Sequence, residues 1–181
     1  MLSAVRMSNS RRGPIVNQCV FSADRRYRYL LIHRWESELP ERPCMWIALN
    51  PSIADESRLD NTLTRIRSFS SAAGFNVFYM VNLFALVSTD LRAMKRHPEP
   101  VGKDNDVHIH RIAAQFPTIF VAWGASGRHL DRDREVLGLL AQLGGPDLLC
   151  YGTNKDGSPK HPLRLAGKLK PVIYRRQIPV E

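Results

Sequence analysis

Four apolar runs alternate along the chain with segments in which apolar residues recur at helical spacing. The runs cover residues 43–50 (PCMWIALN), 76–86 (NVFYMVNLFAL), 118–124 (TIFVAWG) and 147–152 (DLLCYG). Nearly unbroken apolar runs of this length are typical of strands that are buried on both faces in a parallel sheet. After the first run, Leu59, Leu63 and Ile66 predict a helix, and Gly74 supplies its stop signal.

Other segments complete an alternating order of strands and helices. Helices are predicted over residues 90–97 and 103–115, and from the end of the third strand to Leu143, before Gly144 and Gly145. Residues 19–35 predict a β-hairpin, and residues 170–176 a fifth core strand. The expected fold is therefore α/β: a three-layer α/β/α sandwich with a mostly parallel central sheet of four to five strands and an N-terminal β-hairpin. Residues 1–17 are expected to form a basic flexible tail, and residues 18–181 a single domain.

Polar and small residues follow each of the four core strands. These segments are Asn50-Pro51-Ser52, Asn82-Leu83-Phe84, Gly124-Ala125-Ser126-Gly127 and Tyr151-Gly152-Thr153-Asn154-Lys155. In open parallel sheets, ligands bind in the crevice at the carboxyl ends of the strands. The sequence therefore predicts a functional site at that edge.

Composition narrows the classes of function. With 181 residues and 44% hydrophobic residues, the chain can fill one core, and no apolar run is long enough to span a bilayer. The first residues lack the apolar segment of a secretory signal, and three widely spaced cysteines favour buried thiols in a reducing cytoplasm. We therefore expect a cytoplasmic protein with no membrane partner, no metal and no cofactor, and the sequence leaves its oligomeric state open.

The charge balance favours a polyanionic partner. The 26 Lys and Arg residues exceed the 17 Asp and Glu residues by 9. An excess of this size favours nucleic acid or a nucleotide as the partner, although a generic basic surface would have the same composition.

Several common motifs are missing. The chain contains neither GxGxxG nor GxxxxGK[ST], so neither a dinucleotide fold nor a P-loop is indicated. The GASG segment at residues 124–127 is one residue short of a nucleophile elbow, and we expect Ser126 to cap the following helix. A glycine-rich turn at a helix start also suits an anion, so Gly124 and Ser126 are candidate binding residues.

Two asparagines stand out because each ends or interrupts an apolar strand. Asn50 and Asn82 carry amides that need partners to offset their desolvation, and an amide suits the edge of a nucleobase or a water molecule. Asn50 could instead form a turn before Pro51. Asp55, Glu56 and Asp60 are candidate general bases or first-turn charges of the helix. The same polar segment supplies further candidate binding residues, which are Pro51, Ser52, Asn61 and Arg65.

The C-terminal loop YGTNKDGSPKHPLRL concentrates potential cations. Lys155, Lys160, His161 and Arg164 lie within ten residues, and Asn154 precedes them. These residues suit phosphate contacts, and His161 could donate a proton or stabilise developing negative charge. The alternative is a solvated basic loop.

Five spaced segments resemble one family. They are LNPSIAD…DNT…R, VNLFAL…STD, VGKDNDVHI, VAWGASG and YGTNKDGSPKHPLRL. From about residue 20 to the end, the chain resembles the bacterial and phage domain-of-unknown-function family numbered 1643. This resemblance implies a single α/β domain and implies no reaction.

Shorter motifs resemble the uracil-DNA glycosylase superfamily. Asn50 and Pro51 resemble its Asn-Pro corner after the first core strand, Asn82 resembles its base-reading Asn, and His161 belongs to a segment similar to its C-terminal His-Pro loop. VAWGASG is similar to that superfamily's strand-Gly segment. Ser52 stands where a Gly is usual, and HPLRL lacks the Ser-Pro that normally follows.

Three functions remain open. The first is a nucleobase-acting hydrolase of uracil-DNA-glycosylase-like type, in which Asn50, with Asp55 or Asp60, positions water, Asn82 reads the base and His161 stabilises the leaving base. The second is a non-catalytic module that binds nucleic acid or a nucleotide. The third is an enzyme that acts on a phosphorylated small molecule in the same crevice.

Overall fold

The structure is a computed structural model, and it describes residues 16–35, 40–52 and 59–175. The tail up to residue 15 lies outside this part, and the first strand begins at Val16, within the segment predicted as tail. In chain order the elements are β1 Val16–Phe21, β2 Arg28–Arg34, β3 Pro43–Ala48, α1 Asn61–Ala72, β4 Val77–Asn82, α2 Leu91–Arg96, α3 Asn105–Ala113, β5 Thr118–Val121, α4 Arg132–Ala141, β6 Asp147–Cys150 and β7 Val172–Ile173. Within the described residues, 3-10 segments cover Ala125–Asp131 and Pro162–Arg164.

The strands form one mixed sheet of seven strands in the order β1-β2-β4-β3-β5-β6-β7. The inner strands β4, β3, β5 and β6 pair in parallel, whereas β1 with β2, β2 with β4, and β6 with β7 are antiparallel. The predicted α/β class is therefore confirmed. The sheet is larger and more mixed than the mostly parallel sheet of four to five strands that the sequence predicted, because β2 pairs with β4 and carries the hairpin into the same sheet.

Alternate residues of the inner strands belong to two separate core clusters. In β4, Val77, Tyr79 and Val81 pack with residues of α3 and α4, including Ile109 and Val136. The residues between them, Phe78 and Met80, pack with Leu63 and Ile66 of α1. Because both faces of β4 are covered, β4 is apolar at every position before Asn82. The alternation also places Asn82 on the face that α1 covers.

The loops that follow the parallel strands lie at one edge of the sheet. Parallel pairing gives β3, β4, β5 and β6 a common direction, so their carboxyl ends meet at the same edge. Helix α1 connects β3 to β4 and therefore begins at this edge, where Asp60 is its N-cap and accepts from the Leu63 N–H at 2.8 Å. The sequence predicted this shared edge, and the pairing confirms it.

The segment after β5 differs from its prediction. The sequence predicted a helix from the end of β5 to Leu143, but α4 begins at Arg132 and ends at Ala141. A 3-10 segment precedes α4, and Leu130 and Asp131 adopt left-handed φ values of 55° and 51° at the junction. Two such residues interrupt regular helical hydrogen bonding, so the predicted single helix is wrong at its start.

In the part of the chain that the structure describes, no helix has the length and apolar character needed to cross a membrane.

Candidate functional site

The side chain of Asn82 is buried at the end of β4. It is 1% exposed, and neither its Nδ2 nor its Oδ1 makes a hydrogen bond to any residue that the structure describes. Its strand neighbour in the register is Ala48, and the cluster on the same face also contains Ala122 of the segment after β5. An unsatisfied buried polar group costs about 1–3 kcal/mol. Asn82 therefore carries two buried hydrogen-bonding groups, beside small side chains, that no described residue satisfies.

Asn50 presents an acceptor in a fixed direction. Its Nδ2 donates to the Ser88 carbonyl at 2.8 Å and to the Pro51 carbonyl at 3.1 Å. Carbonyl oxygens only accept, so the atom that faces them must be the amide nitrogen, and the orientation of the amide is settled. Among the described residues nothing donates to Oδ1. These bonds agree with the turn-forming interpretation of Asn50, because its nitrogen holds the corner, and its role in a site stays a prediction.

Asp60 connects the loop after β3 to α1. Its Oδ2 accepts from the Ser52 hydroxyl, and its Oδ1 accepts from the Leu63 N–H at 2.8 Å. Both carboxylate oxygens are therefore engaged, which favours the helix-cap role among the two that the sequence left open. Asn61, the first residue of α1, is exposed. Asp55 and Glu56 lie outside the described residues.

His161 presents a donor to the same edge. Its Nδ1 accepts from the Leu163 N–H at 3.4 Å, so the neutral ring carries its proton on Nε2. Burial lowers the pKa of His161, the nearby Arg164 lowers it further, and Asp60 opposes both. Because its pKa is lowered from the ordinary value of 6.5, the ring is uncharged at neutral pH.

Gly124 joins the end of β5 to the His161 loop. Its N–H donates to the Pro159 carbonyl at 2.9 Å, and a Cβ built on it would lie 3.6 Å from the Cβ of His161. Its φ of 71° is one that L side chains rarely adopt. Ser126 lies half-buried within the 3-10 segment, where no side chain caps the start. The prediction that Ser126 caps a helix is therefore wrong.

The loop after β6 is shaped by its own hydrogen bonds. The Lys160 N–H donates to the Gly152 carbonyl at 2.9 Å, and the Asn154 N–H donates to the Ser158 carbonyl at 2.8 Å. The Asn154 Nδ2 also donates to the Ser158 hydroxyl at 2.9 Å, while the Ser158 hydroxyl donates to Asp156 at 2.6 Å. Asn154, which the sequence proposed as a binding residue, thus has its amide nitrogen engaged within the loop.

The cations of this loop are exposed and available. Lys155, Lys160 and Arg164 are all exposed, and no carboxylate of the described residues lies within 4.0 Å of their charged groups. Arg65, another predicted binding residue, has a different role. Its Nη2 donates to the Leu165 carbonyl at 2.6 Å, which fastens the loop to α1.

The predicted residues converge in part. Across the edge, the order of the strands is β4 with Asn82, β3 leading to Asn50 and Pro51, and β5 leading to Gly124, against which His161 lies. Adjacent strands are about 4.8 Å apart, so this span is about 10 Å wide. The structure thus places Asn82, the Asn50 corner and the Gly124–His161 contact along one edge of the sheet. Arg65 instead bonds the Leu165 carbonyl, and Ser126 lies half-buried within the 3-10 segment.

Two buried polar residues next to the site were missed from the sequence. Asn105 and Arg132 are 0% and 1% exposed. Each continues the apolar stripe of its helix: Ile109 lies four residues after Asn105, and Val136 lies four residues after Arg132. A polar residue on the buried stripe of a helix was the signal that could have identified them.

No three His, Cys, Asp or Glu side chains of residues 16–35, 40–52 and 59–175 are grouped so that they could hold a metal ion.

The comparisons with known proteins assign a family and no activity. A family model described as "Protein of unknown function (DUF1643)" matches residues 28–163, which is most of the chain, so the chain belongs to this family. No curated protein matches the chain. No solved structure matches it either.

Proposed function

We propose that the crevice at the carboxyl edge binds a nucleobase and hydrolyses the bond between the base and its sugar, as enzymes of uracil-DNA-glycosylase-like type do. The observation that carries the proposal is the buried amide of Asn82, whose donor and acceptor both lack a hydrogen bond to any described residue. The edge of a nucleobase offers an adjacent acceptor and donor, which an amide can pair with at once. The proposal includes a three-layer arrangement, with α1 on the face of Asn82 and α3 and α4 on the other.

The chemistry divides among three side chains. The Asn50 Oδ1 accepts from the attacking water and orients it, while Asn82 holds the base. The water oxygen bonds to the sugar carbon, the base departs with the electrons of the broken bond, and the Nε2–H of His161 donates to the base as negative charge develops on it. The proton of the water passes to a carboxylate, either Asp60 or Asp55.

The uncharged state of His161 suits this role. A neutral imidazole stabilises a developing anion through its N–H without carrying a buried charge into the free enzyme. The exposed cations Lys155, Lys160 and Arg164 would hold phosphates beside the target nucleotide.

A non-catalytic binding module is the second candidate. The specific observation in its favour is that both oxygens of Asp60 already accept hydrogen bonds, one of them from Ser52. A carboxylate held in this way accepts a further proton less readily. In this alternative the same amide of Asn82 reads a base, and no bond is broken.

The decisive experiment compares turnover with binding in single variants. Asn50→Ala and His161→Ala should leave affinity nearly unchanged and cut base release about a hundredfold, because both groups act mainly in the transition state. Asn82→Ala should lower affinity and base selectivity together, since it removes contacts to the bound base. Asn76→Ala is the matched control, because it removes another buried amide at the opposite end of β4 and should change neither.

The substrates are oligonucleotides that carry uracil, hypoxanthine or other altered bases, with released base measured by chromatography and affinity by titration. Binding without release of any base would establish the binding module. Absence of both would refute both candidates, and binding of phosphorylated small molecules alone would support the third function that the sequence left open.

A further inference from the structure

Two buried side chains hold the backbone at the end of β4. The Asn105 Nδ2 donates to the carbonyl of Asn82 at 3.0 Å and to the carbonyl of Leu83 at 3.0 Å. The Arg132 Nε donates to the same Leu83 carbonyl at 2.8 Å. One amide and one guanidinium therefore fix two consecutive peptide groups at the point where the strand leaves the sheet.

These two side chains approach from the face of the sheet opposite the Asn82 side chain. Asn105 belongs to α3 and Arg132 to α4, and both helices pack in the core cluster that contains Val81. The Asn82 side chain lies on the other face, with α1. Asn105 and Arg132 are thus placed to contact the peptide groups around Asn82 and not a base bound to its amide.

Burying the polar side chains of Asn105 and Arg132 beside the end of β4 costs free energy of desolvation. The charge of Arg132 is matched by Asp106 and by Glu135, whose Oε2 lies 3.1 Å from Nη1. Apolar side chains of similar size would fill the same space without desolvating a charge or an amide. Packing alone therefore does not explain why Asn105 and Arg132 are polar. Their hydrogen bonds to the carbonyls of Asn82 and Leu83 do explain it.

We propose that Asn105 and Arg132 are positioning residues, which fix the Asn82–Leu83 peptide group and the Leu83–Phe84 peptide group after it, and thereby aim the Asn82 amide at the proposed crevice before a ligand arrives. This inference rests on the proposed function, in which Asn82 reads the base. An amide fixed in advance loses less conformational freedom on binding and discriminates more sharply between bases.

The first test needs no ligand. The probe is the side-chain ¹⁵N–¹H amide pair of Asn82 in an NMR spectrum, assigned by its absence in Asn82→Leu. In Asn105→Leu and in Arg132→Met, this pair should shift or broaden. Asn76→Leu, which removes a hydrogen-bonded buried amide at the other end of β4, should leave it unchanged. An Asn82 pair that keeps its wild-type position in both variants would overturn the proposal.

The wild-type protein supplies a second test, which decides the matter if the variants fail to fold. The side-chain amide protons of Asn105 and the Nε proton of Arg132 should exchange with solvent slowly, because each donates to a buried carbonyl. Exchange at the rate of exposed side chains would overturn the proposal.

The third test uses the altered-base oligonucleotides. A displacement of about 1 Å in a group remote from the chemistry can cost about a hundredfold in rate. Asn105→Leu should lose turnover on this scale, together with discrimination between bases, while Asn76→Leu keeps both. If wild type binds no base, the proposed function fails, and the ligand-free spectra still decide whether Asn105 and Arg132 position Asn82.

Discussion

Replacing Asn82 with leucine should stabilise the free protein. Asn82 is 1% exposed, and both polar atoms of its side chain lack partners. Each unsatisfied buried group costs about 1–3 kcal/mol, and leucine of similar size removes both. Repacking after a change of shape costs less than about 1.5 kcal/mol. The two groups together account for about 2–6 kcal/mol, so the expected result after repacking is a gain of at least about 0.5 kcal/mol in the free energy of unfolding, with complete loss of base binding.

Asn76→Leu is the matched control, because the same substitution at the other end of β4 should have the opposite sign. The Asn76 Oδ1 accepts from the Arg42 N–H at 2.6 Å, and its Nδ2 donates to the Pro40 carbonyl at 3.0 Å. Removing two satisfied hydrogen bonds, each worth about 1 kcal/mol, should destabilise the protein by about 2 kcal/mol.

The assay is urea denaturation with linear extrapolation, supported by thermal melting. For a chain of this size, 1 kcal/mol corresponds to about 2–4 °C in Tm. If Asn82→Leu destabilises the protein by about 1 kcal/mol or more, the Asn82 amide already has partners in the free protein. Asn82 would then not be kept open for a ligand.

Three further predictions concern charge and ionisation. If nucleic acid is the partner, affinity should fall steeply with added salt, and changing Lys155, Lys160 and Arg164 to Ala should flatten that dependence; no affinity at low salt in a fluorescence titration would count against a nucleic-acid partner. Burial, with a smaller effect from Arg67, lowers the pKa of His33 from 6.5 to about 4, so the unfolded chain binds a proton that the folded protein does not. The free energy of unfolding should therefore decrease by about 3 kcal/mol as the pH falls from 6.5 to 4, and His33→Phe should remove this part of the dependence in urea titrations. Finally, Cys19 is half-buried, whereas the other two thiols are buried and their pKa values are raised by burial, so an alkylating reagent at pH 8 should label Cys19 first; rapid labelling of all three cysteines would contradict the described core.

The inner strands were predictable because their signal is local. Residues 43–50 and 76–86 are apolar at nearly every position, which is the pattern of a strand covered on both faces. The pairing of β2 with β4 was not predictable from the same pattern. Which strand occupies the edge of the parallel group depends on contacts between residues such as Leu31 and Met80, which are distant in sequence.

The candidate site was predictable where a polar residue breaks an apolar strand. Asn82 was identified in this way, and the structure describes it as buried and unpartnered. The role of Asp60 was not fixed by the sequence, because a carboxylate at a helix start can be a cap or a base. The sequence analysis did not single out Asn105 and Arg132, because their carbonyl partners lie in a segment distant in sequence, although both residues continue an apolar stripe.

The most direct test of the account is a crystal structure of the protein soaked with nucleobases and nucleotides. Density for a base is expected at the carboxyl edge, with the polar edge of the base at about 2.7–3.2 Å from the Nδ2 and Oδ1 of Asn82 and with His161 and Asn50 on the side of the sugar bond. A crevice filled by apolar side chains, or an Asn82 amide already hydrogen-bonded within the protein, would contradict it.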